Sequence, residues 1–437
     1  MGLTVCKFGG TSLADEPQIR KVQAIVAADA GRRFVVPSAP GRRNADDRKI
    51  TDLLYLCHNL AEQKVAFDEV FDLVSGRYRD IASALGVDVD LDTHLAKVRQ
   101  GLLDGASADY AASRGEFLNG LIIARLLDST FVDAAEIIFF DAHGAFETER
   151  TQQAIDAQVR PMARAVVPGF YGSMPDGSIK TFSRGGSDIT GAIVARGVGA
   201  DVYENWTDVS GLLMADPRIV DHPKPIDVIS YRELRELSYM GATVLHEDAI
   251  FPVRQAGIPV NIRNTNRPED AGSMIVPEAE QKHTGAITGI AGRKHFTVIA
   301  LEKALMNAEI GFGRRLLNVL ESNHVSFEHI PSGIDTMSVV IADQELDGKL
   351  ERIKAEIDQE CRPNNIDIYP EMALIATVGR GMARQPGMAA KLFAALADAK
   401  VNIRMIDQGS SEINIIVGVE TEDFEKAVCA IYKAFIG

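Results

Sequence analysis

Thr4-Val5-Cys6-Lys7-Phe8-Gly9-Gly10-Thr11-Ser12 sets the pattern of the chain: a short β-rich run, a lysine near its end, and two glycines ahead of a helical stretch from Glu16 to Ala30. Phosphate oxygens need several N–H donors converging from a backbone with no Cβ in the way. Paired glycines before a helix start supply that geometry, and the helix dipole adds to it. A lysine at the strand end reaches the oxygens shared by donor and acceptor, where charge builds in phosphoryl transfer. The plain alternative is a tight strand-to-helix turn with a solvent-exposed lysine, and the hexapeptide from Lys7 leaves both readings open. It is not a Walker A loop, which would end Gly-Lys-Ser/Thr.

Outward from this stretch, β-rich runs alternate with amphipathic ones. Arg33 to Pro37 reads as the next strand, Thr51 to Asp128 as mostly helical, and Ile137 to Phe140, Ala165 to Tyr171 and Asp201 to Trp206 as later strands. Such alternation predicts an α/β layer around a largely parallel sheet. Asn264 to His283, rich in Asn, Pro, Glu and Gly, reads as the boundary of this first domain.

A second glycine pair lies in Phe182-Ser183-Arg184-Gly185-Gly186-Ser187-Asp188, between a strand (Ser178 to Phe182) and a helix of small residues (Ile189 to Arg196). Arg184 offers a planar fork for a carboxylate or phosphate. Asp188 falls in the first helical turn, where it can orient a lysine or a Mg²⁺-bearing phosphate. A capped helix start with an incidental arginine is the bland reading. Two such turns, one with Lys and one with Arg and Asp, are more specific than either alone. Gly197-Val198-Gly199 follows a helix and reads as its stop, not as a dinucleotide fingerprint. Trp206-Thr207-Asp208-Val209-Ser210-Gly211 and Ala215-Asp216-Pro217-Arg218 could meet a nucleotide base and ribose, although physics alone favours surface turns there. Ser113-Arg114-Gly115-Glu116 is weaker still, since a helix could carry Glu116 for solvation.

The last third repeats itself. At an offset of 76, Gly311 falls on Gly387, Leu316 on Leu392, Leu320 on Leu396 and Val325 on Val401. Phe327 then meets Ile403, Ile330 meets Ile406, and Val339-Val340-Ile341 meets Ile415-Ile416-Val417. Helix spacing followed by strand alternation at one offset predicts two small βαββαβ modules.

Composition narrows the function classes. A chain of 437 residues, 46% hydrophobic and 24% charged, is globular and divides into two to four domains. Net charge is -15, and the basic residues occur as isolated pairs such as Arg32-Arg33, so no stripe for nucleic acid is present. Cys6, Cys57, Cys361 and Cys429 lie far apart without a CxxC, which fits buried thiols in a reducing cytoplasm. His246-Glu247 lacks the second His of a zinc-protease helix. No signal peptide, myristoylation site or apolar span is evident, so a cytoplasmic protein without membrane contact is expected.

With these segments together, the chain resembles an aspartate kinase of the amino acid kinase family carrying tandem C-terminal ACT domains. The resemblance runs nearly end to end. It is carried by Lys7 to Ser12, Ser38-Ala39-Pro40, Thr51 to Leu54, Ser183 to Asp188, Thr207-Asp208, Asp216-Pro217-Arg218 and Val244-Leu245-His246. It implies an amino acid kinase (carbamate-kinase-like) fold over 1–282, a first ACT module over 283–370 and a second over 371–437. In the family the first module is inserted into the second, which allows the 285–291 strand to belong to the second.

The resemblance further implies Lys7 as the phosphate lysine with Asp188 as its organiser, and Gly9, Gly10, Gly185 and Gly186 as phosphate-facing donors. Ser38, Thr51, Glu116 and Arg184 would hold L-aspartate, with Glu116 toward its ammonium and Arg184 toward a carboxylate. Thr207, Asp208, Asp216 and Arg218 would contact ATP, with Mg²⁺ on the phosphates and no metal site of the protein's own. The implied product is 4-phospho-L-aspartate, the entry to lysine, threonine and methionine synthesis. Lysine or threonine would bind at Met306, Glu309, Ser326, Phe327, Glu328 and Asp335, and the ACT domains would pair subunits into a homodimer or larger homo-oligomer.

The chain departs from the family pattern at Thr243, where many members have a nucleotide-contacting Lys, at Leu213-Met214, at Ser210 and at Pro37. With the sequence stopping at Gly437, no fused homoserine dehydrogenase is expected. Rival readings are a kinase of glutamate or N-acetylglutamate, whose members generally lack the tandem ACT region, and a non-catalytic ACT sensor. Lys7, Arg184 and Asp188 together argue against the sensor.

Overall fold

The computed structural model describes residues 2–183, 185–242, 245, 247–278 and 285–437. The chain forms two compact units. The first is Met1–Leu212, Pro225–Tyr231 and Val244–Gln281, and the second is Leu213–Lys224, Arg232–Thr243 and Lys282–Gly437. The expected boundary at 282/283 lies outside the described residues. Segments 213–224 and 232–243, left in the first domain by the sequence reading, pack with the second unit.

The first unit is built on eight strands: β1 (Thr4–Phe8), β2 (Arg32–Pro37), β3 (Thr130–Phe131), β4 (Ala165–Val166), β5 (Val202–Thr207), β6 (Val228–Ser230), β7 (Val260–Asn264) and β8 (Ser273–Val276). Their order is β6-β8-β7-β5-β1-β2-β4-β3. Every pairing is parallel except β7 with β8. β1 therefore sits mid-sheet, and its Val5, Cys6 and Phe8 are fully buried, as a strand covered on both faces requires.

Three expectations need correction here. Met274-Ile275-Val276 pair as part of β8, so the polar stretch 264–283 contains a sheet strand and is not all linker. Ile137 ends a helical turn (Ala134–Ile137) that Asp133 starts by accepting the Ala135 N–H, which leaves Phe139 and Phe140 only isolated bridges. The stretch Ala165 to Tyr171 also divides, into β4 and a short hairpin strand Tyr171–Ser173, with Pro168-Gly169 between them.

The helices of this unit are α1 (Glu16–Ala27), α2 (Ile50–Glu62), α3 (Asp68–Leu85), α4 (Leu91–Leu103), α5 (Ala108–Leu126) and α6 (Gly186–Val198), besides shorter ones. α1 starts where Asp15 accepts the Gln18 N–H and Pro17 fixes the first turn. The glycine pair opens a separate 3₁₀ turn, Gly10–Leu13, with Gly9 at its cap, ahead of α1. The first glycine loop thus does not open α1 directly. One core joins α1 to α5 with the sheet through Leu54, Val74, Tyr78, Leu95, Leu118, Ile122 and Trp206. Of the cysteines, Cys6, Cys57 and Cys361 are buried and Cys429 is exposed.

In the second unit five strands form one sheet, β9 (Gly289–Glu302), β10 (Thr336–Ala342), β11 (Asn365–Val378), β12 (Met405–Asp407) and β13 (Asn414–Glu420), ordered β10-β9-β11-β13-β12. Its principal helices are α7 (Phe312–Ser322), α8 (Leu350–Cys361), α9 (Met388–Asp398) and α10 (Phe424–Ile436). β9 and β11 each serve two cores. Ile299 and Leu301 pack with α7 and α8, whereas Ile290 and Ile375 pack with α9 and α10. The Gly289–Arg293 half of β9 pairs with the Leu374–Val378 half of β11, so the second module straddles the first.

The repeat is real in three dimensions. Gly311 and Gly387, both with positive φ, precede helices of 11 residues each, and Leu316 and Leu392 are both fully buried. The offset slips by two at the third strand: Ile299 faces Val339, and its counterpart Ile375 faces Val417, two residues later than the gapless alignment. Strand period is two, so the slip leaves inward faces inward and the hydrophobic match survives it.

Beneath β1 lies a buried ionic cluster. Glu204 on β5 accepts two bonds from Arg32, at 2.8 and 3.0 Å, and one from the Trp206 indole at 2.9 Å. Arg263 and the Cys6 thiol also reach it. Burial pushes the Glu204 carboxyl up, but Arg32 and the other donors outweigh this and hold it below the ordinary range. Removing one member of such a set strands the other charge in the interior. Glu204→Ala should cost about 3–5 kcal/mol, read as a lowered urea midpoint from the fluorescence of Trp206, the only tryptophan. A loss under about 1 kcal/mol would mean that Arg32 finds solvent instead.

Candidate active site

β1 and β5 run parallel with Lys7 directly opposite Asn205. Lys7, 8% exposed, extends to Asp188 in the first turn of α6, with Nζ 2.6 Å from Oδ1. The buried Asn205 amide donates to that same oxygen at 2.8 Å, and the Tyr203 hydroxyl donates to the Asp188 carbonyl at 3.0 Å. Oδ2 of Asp188 has no hydrogen-bond partner among the described residues. The two glycine turns read from sequence are therefore joined by one ion pair.

Each turn has its own construction. Gly9 spends its N–H on the Trp206 carbonyl at 3.0 Å, which corrects its expected use as a phosphate donor, although it lines the cavity together with Gly10. Gly185 caps α6 with φ 58, in the left-handed region, and Gly186 opens the helix. A Cβ on Gly186 would come 2.0 Å from the Phe170 ring, so glycine is required there by contact. The free N–H groups of this turn point along the positive end of a helix of 13 residues. Arg184 lies outside the described residues, as do Thr243, Val244 and His246.

A cavity of about 540 Å³ opens beside the first turn, lined by Gly9, Gly10, Ser38, Thr51, Glu116, Thr207 and Asp208 among others. Seven residues expected at the substrate or nucleotide thus share one wall. The Ser38 N–H is fixed on the Phe8 carbonyl at 3.0 Å, and its own carbonyl accepts from Asn119 at 2.7 Å. Glu116 is 6% exposed and its Oε2 is buried without a hydrogen-bond partner. Burial pushes its carboxyl up to about 7, against the Ala39 N–H that lowers it. An orphaned carboxylate oxygen at a cavity wall is suited to a cationic group such as an ammonium.

Asp216 and Arg218 belong to the second unit, where they pair with each other at 2.6 Å. The effector candidates gather on the first module. The Leu305 N–H, next to Met306, donates to Asp335 at 2.8 Å. Glu309 pairs with Lys303 at 2.7 Å and with Arg315, and Lys303 first, then Arg315, hold its carboxyl low. Ser326 and Phe327 are exposed on the approach to the strand edge where the Glu328 N–H meets the Val340 carbonyl at 2.8 Å. Glu328 keeps one buried oxygen without a hydrogen-bond partner.

Sequence reasoning missed Asn205 and Asn119. The available signal was a polar residue inside an element that must be buried on both sides, which is also how Glu204 could have been found. Among the described residues no three His, Cys, Asp or Glu side chains converge on one point. The acidic oxygens at hand, on Asp188 and Asp208, suit a hard cation held mainly by polyphosphate oxygens and water. Among the same residues no helix is long and apolar enough to cross a membrane.

Comparison with known proteins gives the same outline. The amino acid kinase family matches residues 2–264, and an ACT domain matches 375–435. "Aspartokinase 3" of Bacillus subtilis is 39% identical over 455 residues, covering 99% of this chain and 98% of that one. "Lysine-sensitive aspartokinase 3" of Escherichia coli is 28% identical with the same coverage. The crystal structure of the Clostridium acetobutylicum aspartate kinase superposes with a TM-score of 0.96 at 58% identity, covering 99% of this chain and all of that one. A parallel sheet joining two glycine turns, two ACT-like modules and full-length likeness lead to one assignment: the chain belongs to the amino acid kinase family, in its aspartokinase branch with C-terminal ACT modules.

Proposed function

We propose that this chain transfers the γ-phosphoryl group of ATP to the side-chain carboxylate of L-aspartate, giving ADP and 4-phospho-L-aspartate. The observation that carries the reading is the Lys7–Asp188 pair at 2.6 Å, which joins the two glycine turns beside a cavity with an orphaned carboxylate. Asp188 and Asn205 hold the Lys7 ammonium in place, where it neutralises charge on the oxygens between donor and acceptor. Gly10 and the α6 start cradle phosphates through backbone N–H groups.

Ser38 and Thr51 orient the acceptor, Glu116 takes its ammonium and Arg184 a carboxylate, while Thr207 and Asp208 meet the nucleotide. Asp216 and Arg218 are further candidates for the nucleotide. A carboxylate is already ionised at neutral pH, so alignment and charge replace a general base. Magnesium on the phosphates would add charge neutralisation, with Asp208 and the free oxygen of Asp188 as its protein ligands.

Regulation belongs to the ACT modules in this reading. Lysine, alone or with threonine, stabilises an inactive arrangement by binding at the Met306–Asp335 region of a homo-oligomer. The lysine-sensitive name of the Escherichia coli relative and the ACT fold of the modules support this reading. Millimolar lysine or threonine should lower the rate or raise the aspartate KM, and unchanged kinetics with both would contradict it.

Trapping the acyl phosphate with hydroxylamine should give hydroxamate with aspartate and not with glutamate, and Lys7→Ala should reduce its rate about a hundredfold or more. Equal rates for Lys7→Ala and wild type would refute the role of Lys7. Signal with glutamate alone would refute the substrate.

Glu116 supplies a pH signature. Free, it is protonated below about 7, and binding an ammonium needs the carboxylate. The aspartate KM should then rise by about tenfold per pH unit on the acid side of that value. Glu116→Gln should raise KM and flatten this dependence. Between the ordinary carboxyl range and about 7 the unfolded chain releases this proton before the folded one does. That contribution makes stability fall as pH rises. Glu116→Gln should therefore melt higher than wild type near pH ~8 but not near pH ~5, as thermal unfolding would read.

A further inference from the structure

Two cations line the cavity that the chemistry above leaves unused. Arg42 and Lys49 stand on its wall with Gly10, Ser38 and Thr51. Both are exposed, and neither side chain has a hydrogen-bond or ion-pair partner among the described residues. Free cations are ordinary on a surface, but the loop that carries these two is anchored with unusual care.

Its first residue is tied to the glycine turn. The Gly41 N–H donates to the Gly10 carbonyl at 2.8 Å. A Cβ on Gly41 would lie 2.5 Å from the Gly10 carbonyl carbon, so the two backbones touch and only glycine fits. Arg77, 6% exposed, reaches in from α3. One of its nitrogens donates to the Ala14 carbonyl at 2.8 Å and the Gly41 carbonyl at 2.7 Å, and another to Asp47 at 2.7 Å. Asp47 also accepts the Arg43 N–H at 3.0 Å and the Arg43 guanidinium at 2.9 and 3.1 Å. Arg43 first, and Arg77 with it, hold the Asp47 carboxyl far below its ordinary range. The loop is closed at its base with Asp47 and Arg43 neutralising each other, while Arg42 and Lys49 remain unpaired at the cavity.

We infer that Arg42 and Lys49 form an oxyanion subsite of this cavity, binding carboxylate or phosphoryl oxygens of the substrates, and that Arg77 is the positioning residue that holds their loop against the glycine turn. The inference rests on the phosphotransfer reading. Both substrates are anionic, and a fixed cation at a cavity mouth raises capture and ground-state affinity in a salt-dependent way. A charge-assisted contact of this kind is worth about tenfold or more in affinity.

The test uses the full-length chain with Arg42→Met, Lys49→Met, the double variant, Lys49→Arg, Arg77→Met, and Lys97→Met as a control on the exposed face of α4. Initial rates are measured with ATP and with aspartate varied, at low and high salt. The double variant should raise one KM about tenfold or more and lose most of its salt dependence. A rise for aspartate assigns the subsite to the acceptor carboxylate, and a rise for ATP assigns it to phosphoryl oxygens. Lys49→Arg should restore most of the Lys49→Met loss, and Lys97→Met should match wild type. Arg77→Met should raise the same KM and weaken the same salt dependence. Both KM values within twofold of wild type in the double variant, with salt dependence intact, would overturn the inference. A wild-type chain that does not turn over would instead refute the function. Calorimetric binding of ADP and of aspartate to wild type and double variant would then decide the subsite on its own.

Discussion

The pair between Lys7 and Asp188 is the constraint on which the site depends. A lysine that is 8% exposed needs a counter-charge, and Asp188 supplies it at 2.6 Å from the first turn of α6. That contact fixes the distance between two strand-to-helix turns drawn from segments about 180 residues apart. It also explains why the sheet register matters: Lys7 lies opposite Asn205, and a slip of one residue on β5 would turn the Asn205 amide away from Asp188. The transfer chemistry then needs no base. It needs a cation that cannot wander, which Asn205 and Asp188 provide.

Below the site the sheet is stiffened by charge as well as by apolar packing. Glu204 gathers Arg32, Arg263, Trp206 and Cys6, so that β2, β5, β7 and β1 share one buried centre. Beside the site Arg77 does the same for loops, holding Ala14, Gly41 and Asp47 together. Glu116 is the opposite case. It is a buried carboxyl with an unsatisfied oxygen at a cavity, where the fold sacrifices stability that a bound cation can return.

The two glycine turns and the last-third repeat could be read from residues because they depend on local rules, namely glycine before a helix start and hydrophobic period. The repeat stayed visible despite a two-residue slip because strand period is two. Features that depend on long-range pairing were not legible. The N–H of Gly9 could not be known to serve Trp206, nor could Met274 to Val276 be seen as a sheet strand within a polar stretch. Asp133 stole Ile137 from a predicted strand through one capping bond. Nothing in the local pattern marks Arg42 and Lys49 either, because their placement depends on Gly41 packing against Gly10.

The central claim is that the cation held by Asp188 activates transfer to the side-chain carboxyl of aspartate. The most direct measurement is the identity of the carboxyl that receives the phosphate. Turnover with ATP, magnesium and isotopically labelled aspartate, followed by borohydride reduction, converts an acyl phosphate to an alcohol. Labelled homoserine is expected, formed only when ATP is present. Reduction at the α-carboxyl instead, or no reduced product while ATP is consumed, would contradict it.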